Sequence, residues 1–154
     1  MSWQSPSHLP PSRRPGHDLV EERLAVTAQH VELQYELESV RRARALVTTA
    51  CAHLPRDVTD VVRLVVSELV ANAVMHGLPE IVLLYEIGPD LVRVEVTDGH
   101  PQPPRQLRAS LSALDGRGLL IVNALSRRWG VVRLDDGKTV WCDIPVRETA
   151  GVIS

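Results

Sequence analysis

Glu68, Asn72 and His76 stand four residues apart in the run Val65-Val66-Ser67-Glu68-Leu69-Val70-Ala71-Asn72-Ala73-Val74-Met75-His76-Gly77. On a helix that spacing stacks an acid, an amide and an imidazole into one ladder. With Arg56, Asp60, Arg63 and Ser67 as the solvent stripe, Glu68 falls about 110° from the stripe's centre, Asn72 about 150°, and His76 nearly opposite. The ladder therefore shares the arc of Val58, Val61, Val65 and Leu69. A carboxylate or amide on the apolar side of a helix costs several kcal/mol unless something completes its hydrogen bonds. Either neighbouring backbone does so, or the ladder is the wall of a ligand pocket. His76 alone also suits the C-terminal end of the helix dipole.

Two further loci could do chemistry. At Asp98-Gly99 a carboxylate is followed by a residue with no side chain. Gly116-Arg117-Gly118 stands at the opening of an apolar run. Backbone N–H groups at a helix start attract anions, and glycine lets a phosphate come close. Each is common turn chemistry taken alone; their order along the chain with the ladder is what carries information.

The elements that must position these residues are legible from periodicity and punctuation. Pro55 and Gly77 bracket a helix from about Pro55 to His76. Ahead of it, His30–Glu36 alternates as a half-buried strand, and Ser39 stands as the N-cap of a helix over Val40–Leu54, with Val40, Ala43, Val47, Ala50 and Cys51 on one face. Glu80–Ile87 and Leu91–Asp98 form an antiparallel hairpin around Gly88-Pro89-Asp90, with Val92, Val94 and Val96 turned inward and Arg93 and Glu95 outward. The stretch from Gly99 to Asp115, with His100-Pro101-Gln102-Pro103-Pro104, reads as a long functional loop or lid. A short helix follows over Leu119–Leu125, then a strand Trp129–Leu134, a turn at Asp135-Asp136-Gly137-Lys138 and a last strand Thr139–Val146. Helices thus gather on one face of a mixed, mostly antiparallel sheet: an α+β, two-layer α/β sandwich. Residues 1–28, with Pro6, Pro10, Pro11 and Pro15, read as a disordered leader, 29–147 as the domain, and 148–154 as a tail.

Composition narrows the function classes. The chain has 154 residues, is 44% hydrophobic without a single Phe, and carries a formal net charge of −2, so one aliphatic core is expected and no direct nucleic-acid binding. No apolar run reaches the ~18 residues of a membrane span, and the first residues lack a signal-peptide core. Cys51 and Cys142 follow no metal spacing and suit reduced thiols in a cytoplasmic protein.

Taken together the motifs resemble the histidine-kinase-like (GHKL) ATPase superfamily, which includes gyrase, Hsp90 and MutL, and within it the bacterial anti-sigma factor serine/threonine kinases. The resemblance runs from about Val31 to Val146. Ser67–Gly77 matches the N box, Val94–Gly99 the first glycine box, Gly116–Val122 the second, and Gly137-Lys138-Thr139-Val140-Trp141 the closing strand. It implies a Bergerat-type ATP-binding fold with ATP and Mg²⁺ as cofactors. Asn72 would hold the Mg²⁺, with Ala73 and His76 beside it in the N box. Glu68 would be the catalytic base for, or orient, an attacking serine hydroxyl. Asp98, followed by Gly99, would accept the adenine amino group, with Thr139 in support. Gly116, Gly118 and the N–H groups near Leu119 would wrap the triphosphate, with Arg117 and Arg105 adding charge.

The resemblance further implies an anti-sigma factor that sequesters an RNA polymerase sigma factor and phosphorylates a STAS-domain antagonist on serine. A homodimer through residues 31–54 is also implied. One departure stands out: the superfamily's Asp-x-Gly-x-Gly is here Asp98-Gly99-His100-Pro101, a stiffer hinge. That leaves room for a non-catalytic, nucleotide-gated binding regulator of transcription. No helix with a phospho-accepting His is expected ahead of the domain, which sets the chain apart from two-component sensors.

Overall fold

The computed structural model describes residues 27–101 and 116–147. Most of the expected leader, the larger part of the 99–115 loop with Arg105, and the tail lie outside the described residues. The described elements are strand β1 (Thr27–Leu33), helix α1 (Glu38–Ala50), helix α2 (Arg56–His76), strands β2 (Ile81–Ile87) and β3 (Leu91–Asp98), helix α3 (Gly116–Leu125), and strands β4 (Arg128–Leu134) and β5 (Gly137–Pro145).

The strands form one sheet in the order β1-β2-β3-β5-β4. Every described pairing is antiparallel, so the sheet is less mixed than the sequence suggested. Alternation sets the two faces. Ile81, Leu83, Tyr85 and Ile87 of β2, Val92, Val94 and Val96 of β3, and Val140, Cys142 and Ile144 of β5 are buried against the helices. The helices return Ala43 and Val47 from α1, Val58, Val62, Val65, Val66, Leu69, Val70 and Ala73 from α2, and Leu119 and Val122 from α3. Mid-sized aliphatic side chains from both layers fill the core of this chain without Phe.

Three local expectations are corrected. β1 begins and ends about three residues earlier than the alternation suggested, so residues 27 and 28 belong to the sheet rather than to the leader. Ser39 is not an N-cap: that position is Leu37, and the buried Ser39 hydroxyl donates back to the Gln34 carbonyl at 2.6 Å, tightening the β1–α1 turn. α1 stops at Ala50 because the chain turns through residues 51–54, Leu54 N–H donating to the Cys51 carbonyl at 2.9 Å, before Pro55 caps α2. Cys51 and Cys142 are free and buried, and burial pushes their thiols up to about 11 and about 12, so neither is a ready nucleophile. None of the described helices is long and apolar enough to cross a membrane.

The face of the sheet away from the helices carries a charge cluster that periodicity did not reveal. Arg93 donates from Nε to Asp143 Oδ1 at 2.7 Å and from an amino nitrogen to Oδ2 at 3.0 Å, while Arg128 Nε reaches Oδ2 at 2.9 Å. The Arg93 guanidinium lies 4.6 Å from the centre of the Trp141 ring. Burial opposes the charge on Asp143, but the hydrogen bonds from Arg93 and then Arg128 outweigh it and hold the carboxyl below its usual range. A carboxyl depressed on folding adds stability that is complete above its unfolded pKa and lost as pH falls through the folded one. Replacing Asp143 by Asn is therefore expected to lower stability by about 3 kcal/mol at pH 7. The gap between variant and wild type should close as the medium is acidified below about pH 4; urea midpoints across that range check it.

Candidate functional site

Two contacts involve residues singled out above, one between α2 and α3 and one between the end of α2 and the end of β3. α2 runs unbroken from its Pro55 cap to Gly77, whose N–H donates to the Ala73 carbonyl at 2.9 Å. Along it Glu68 and Asn72 are half-buried at the edge of the buried arc, not inside it, and His76 is exposed in the last turn. Ala73 is in the core at 4% exposure. The opposite stripe is only partly a solvent face. Ser67 is half-buried, accepts from Arg44 Nε at 2.9 Å and donates to the Arg63 carbonyl at 2.6 Å, tying α2 to α1.

The side chain of Glu68 lies against the first turn of α3. A Cβ placed on Gly118 would sit 2.9 Å from Glu68 Oε2. Glycine at 118 is what lets the carboxylate come so close to the start of a helix, where backbone N–H groups point outward unpaired. Gly116 and Gly118 fall inside the first turn of α3 rather than ahead of it, and Leu119 fixes that turn to the core at 5% exposure. The side chain of Arg117 lies outside what is described.

Asp98 ends β3 on the helix side, following Val92, Val94 and Val96 in phase. It is 3% exposed and sits directly under the last turn of α2. A Cβ on Gly77 would lie 2.5 Å from Asp98 Cγ and 2.6 Å from the Ala73 carbonyl oxygen, so only glycine closes the helix over this carboxylate. Tyr35 Oη donates to the Gly77 carbonyl at 2.9 Å and Gly99 N–H to the Leu78 carbonyl at 2.7 Å, fixing the crossing from both sides. Asp98 Oδ1 accepts from the His100 N–H at 2.8 Å, and Oδ2 accepts from Lys138 Nζ at 2.6 Å.

The sequence puts Lys138 in a hairpin turn, and the resemblance puts Thr139 beside Asp98. The structure puts Lys138 in β5, paired with Asp98, and turns Thr139 to the opposite face, where its hydroxyl meets that of Thr97 at 2.6 Å. Parity held the signal: Val140, Cys142 and Ile144 point inward, so Lys138 does too, and Thr139, Trp141 and Asp143 cannot.

The set can hold an anion at the start of α3, present oxygen donors from Glu68 and Asn72, and accept a hydrogen bond at Asp98. Among the described residues no group of three or more His, Cys, Asp or Glu is placed to hold a metal ion, so a cation here would need ligand oxygens from its substrate. Replacing Gly77 by Ala is expected to push Asp98 off its seat and cost about 1–3 kcal/mol by overpacking. Urea unfolding followed by tryptophan fluorescence would show it.

Comparison with known proteins completes the picture. A family model described as the histidine kinase-like ATPase domain matches residues 33–143. No curated protein matches the chain. Among solved structures, the histidine kinase domain from the Erythrobacter litoralis EL346 blue-light activated histidine kinase aligns with a TM-score of 0.50 and 20% identity. That alignment covers 71% of this chain and 60% of the other, so this chain spans less than two thirds of the protein it aligns with.

Proposed function

Starting from the fact that the chain belongs to the histidine kinase-like ATPase domain family, we propose that it is an ATP- and Mg²⁺-dependent protein serine/threonine kinase. We further propose that it acts as an anti-sigma factor. The observation that supports this best is the seat of Glu68 against Gly118. It joins the acid on α2 to the glycine-built start of α3.

The residues present suit the cofactors. Oxygen donors on Asn72 and Glu68 fit a hard cation shared with phosphates. The open turn of α3 suits phosphate oxygens, and Asp98 suits a base carrying an amino group. ATP supplies the transferable phosphoryl group and Mg²⁺ the charge neutralisation that such transfer needs. The Asn72 amide oxygen, one turn along the helix, would hold the cation. Glu68 Oε would accept the proton of the incoming serine hydroxyl, or orient it. The N–H groups around Leu119 would bind the phosphate oxygens and Asp98 would fix the base, so that positioning would supply most of the rate.

The substrate in this reading is a STAS-domain antagonist phosphorylated on serine, and the sequestered partner an RNA polymerase sigma factor, with a homodimer through the β1–α1 region. A cytoplasmic setting follows from such partners. A second reading, a non-catalytic nucleotide-gated binding regulator, is favoured by the segment Asp98-Gly99-His100-Pro101. There Asp98 is held by the His100 N–H, and a proline follows at once. Labelled ATP with a candidate STAS protein separates the two, since only a kinase transfers label.

Replacing Glu68 by Gln should abolish transfer, by 10²-fold or more, while ATP affinity stays within a few-fold of wild type; unchanged transfer removes Glu68 from the mechanism. Replacing Asn72 by Ala should leave nucleotide binding indifferent to Mg²⁺. Calorimetric titrations with and without the cation check that.

A further inference from the structure

Among the described residues the Lys138 ammonium has Asp98 as its one partner. Its ammonium has three N–H donors, and the described residues take one of them, at Asp98 Oδ2. The two side chains are 10% and 3% exposed, so the pair is withdrawn from solvent. Across the sheet the residue in register with Lys138 on β4 is Arg133, a like charge that offers it no acceptor. An ammonium held so deeply is costly unless its remaining donors are used. Asp98 has capacity in the other sense. A carboxylate offers about four lone-pair sites, of which His100 N–H and Lys138 take two. Acceptor and donor thus lie side by side on the helix-side face, at the end of β3 and the start of β5.

We propose that Lys138 reads the base together with Asp98, donating to the ring nitrogen that flanks the amino group Asp98 accepts. This rests on the nucleotide reading above and deepens it by naming a second base contact. The ATP reading makes that base adenine, whose amino group is a donor with ring-nitrogen acceptors on either side, whereas guanine puts a carbonyl oxygen at that position. A guanine turned to give its ring N–H to Asp98 and to take Lys138 at its carbonyl would also pair, so the assignment requires that guanosine triphosphate bind more weakly than ATP. Lys138 also holds the Asp98 carboxylate at the oxygen that the His100 N–H leaves open.

Equilibrium titration of the full chain with ATP, 1-deaza-ATP, 7-deaza-ATP and guanosine triphosphate tests the assignment, on wild type, Lys138→Met and Lys138→Arg. Removing the nitrogen that Lys138 contacts should weaken binding to wild type about tenfold, the size expected of a hydrogen bond to a charged group. Lys138→Met should lose a similar factor for ATP and then bind ATP and that deaza analogue alike. A lysine that served only as a counter-charge would lower all nucleotides together and keep their ratios. Thermal melting shows whether the Met variant folds; if it does not, the wild-type deaza series and the charge-preserving Arg variant decide. Wild type binding ATP and both deaza analogues equally would overturn the role of Lys138 alone. Wild type binding no ATP would overturn the nucleotide reading itself.

Discussion

The last turn of α2 rests on a carboxylate, and the rest of the fold is arranged around that contact. Gly77 has no side chain because Asp98 Cγ and the Ala73 carbonyl fill the space a Cβ would need. This seats the longest helix at a fixed height over the middle strand of the sheet. The same helix carries Glu68 to the first turn of α3, and the pairing of β3 with β5 brings Lys138 to Asp98. Shifting β3 by one residue would turn Asp98 and its whole apolar row to the wrong face. The register of a valine-rich strand is in that sense what places the carboxylate.

The two faces of the sheet divide the work. On the helix side, valines and leucines supply the burial that drives folding, and one polar pair, Asp98 with Lys138, interrupts them at the strand ends. On the other face the same strands carry Arg93, Glu95, Trp141, Asp143 and Arg128, satisfied by one another. Burial raises the Glu95 carboxyl above its ordinary range, in part offset by Arg93. Both polar clusters use residues directly opposed between β3 and β5, Asp98 with Lys138 and Arg93 with Asp143. The central pairing therefore carries the core, the site and the outer lattice of charge at once.

Much of this was readable from single-residue chemistry. Pro55 and Gly77 bracketed α2 correctly because the first lacks a needed N–H only where none is bonded, and the second alone fits under the helix end. Alternation over 81–98 gave both strands of the hairpin and the inward direction of the valines. What failed needed partners distant in sequence. Ser67 looked like solvent-facing polarity until α1 supplied Arg44. Ser39 had the chemistry of a cap, but the tight turn after β1 offered its hydroxyl a nearer acceptor at Gln34. Arg93 and Asp143 are fifty positions apart, and only the sheet register joins them.

The departure at Asp98-Gly99-His100-Pro101 reads differently once the geometry is known. A glycine at position 100 would offer the same backbone N–H to Asp98, but from a residue with more conformational freedom. Here the His100 N–H closes on Oδ1 and Pro101 restrains the residue before it. With Lys138 on Oδ2, the acceptor is fixed from both sides before any ligand arrives. Preorganised acceptors bind with less ordering cost than mobile ones. The sequence change that looked like a weakened hinge leaves the carboxylate itself held at both oxygens.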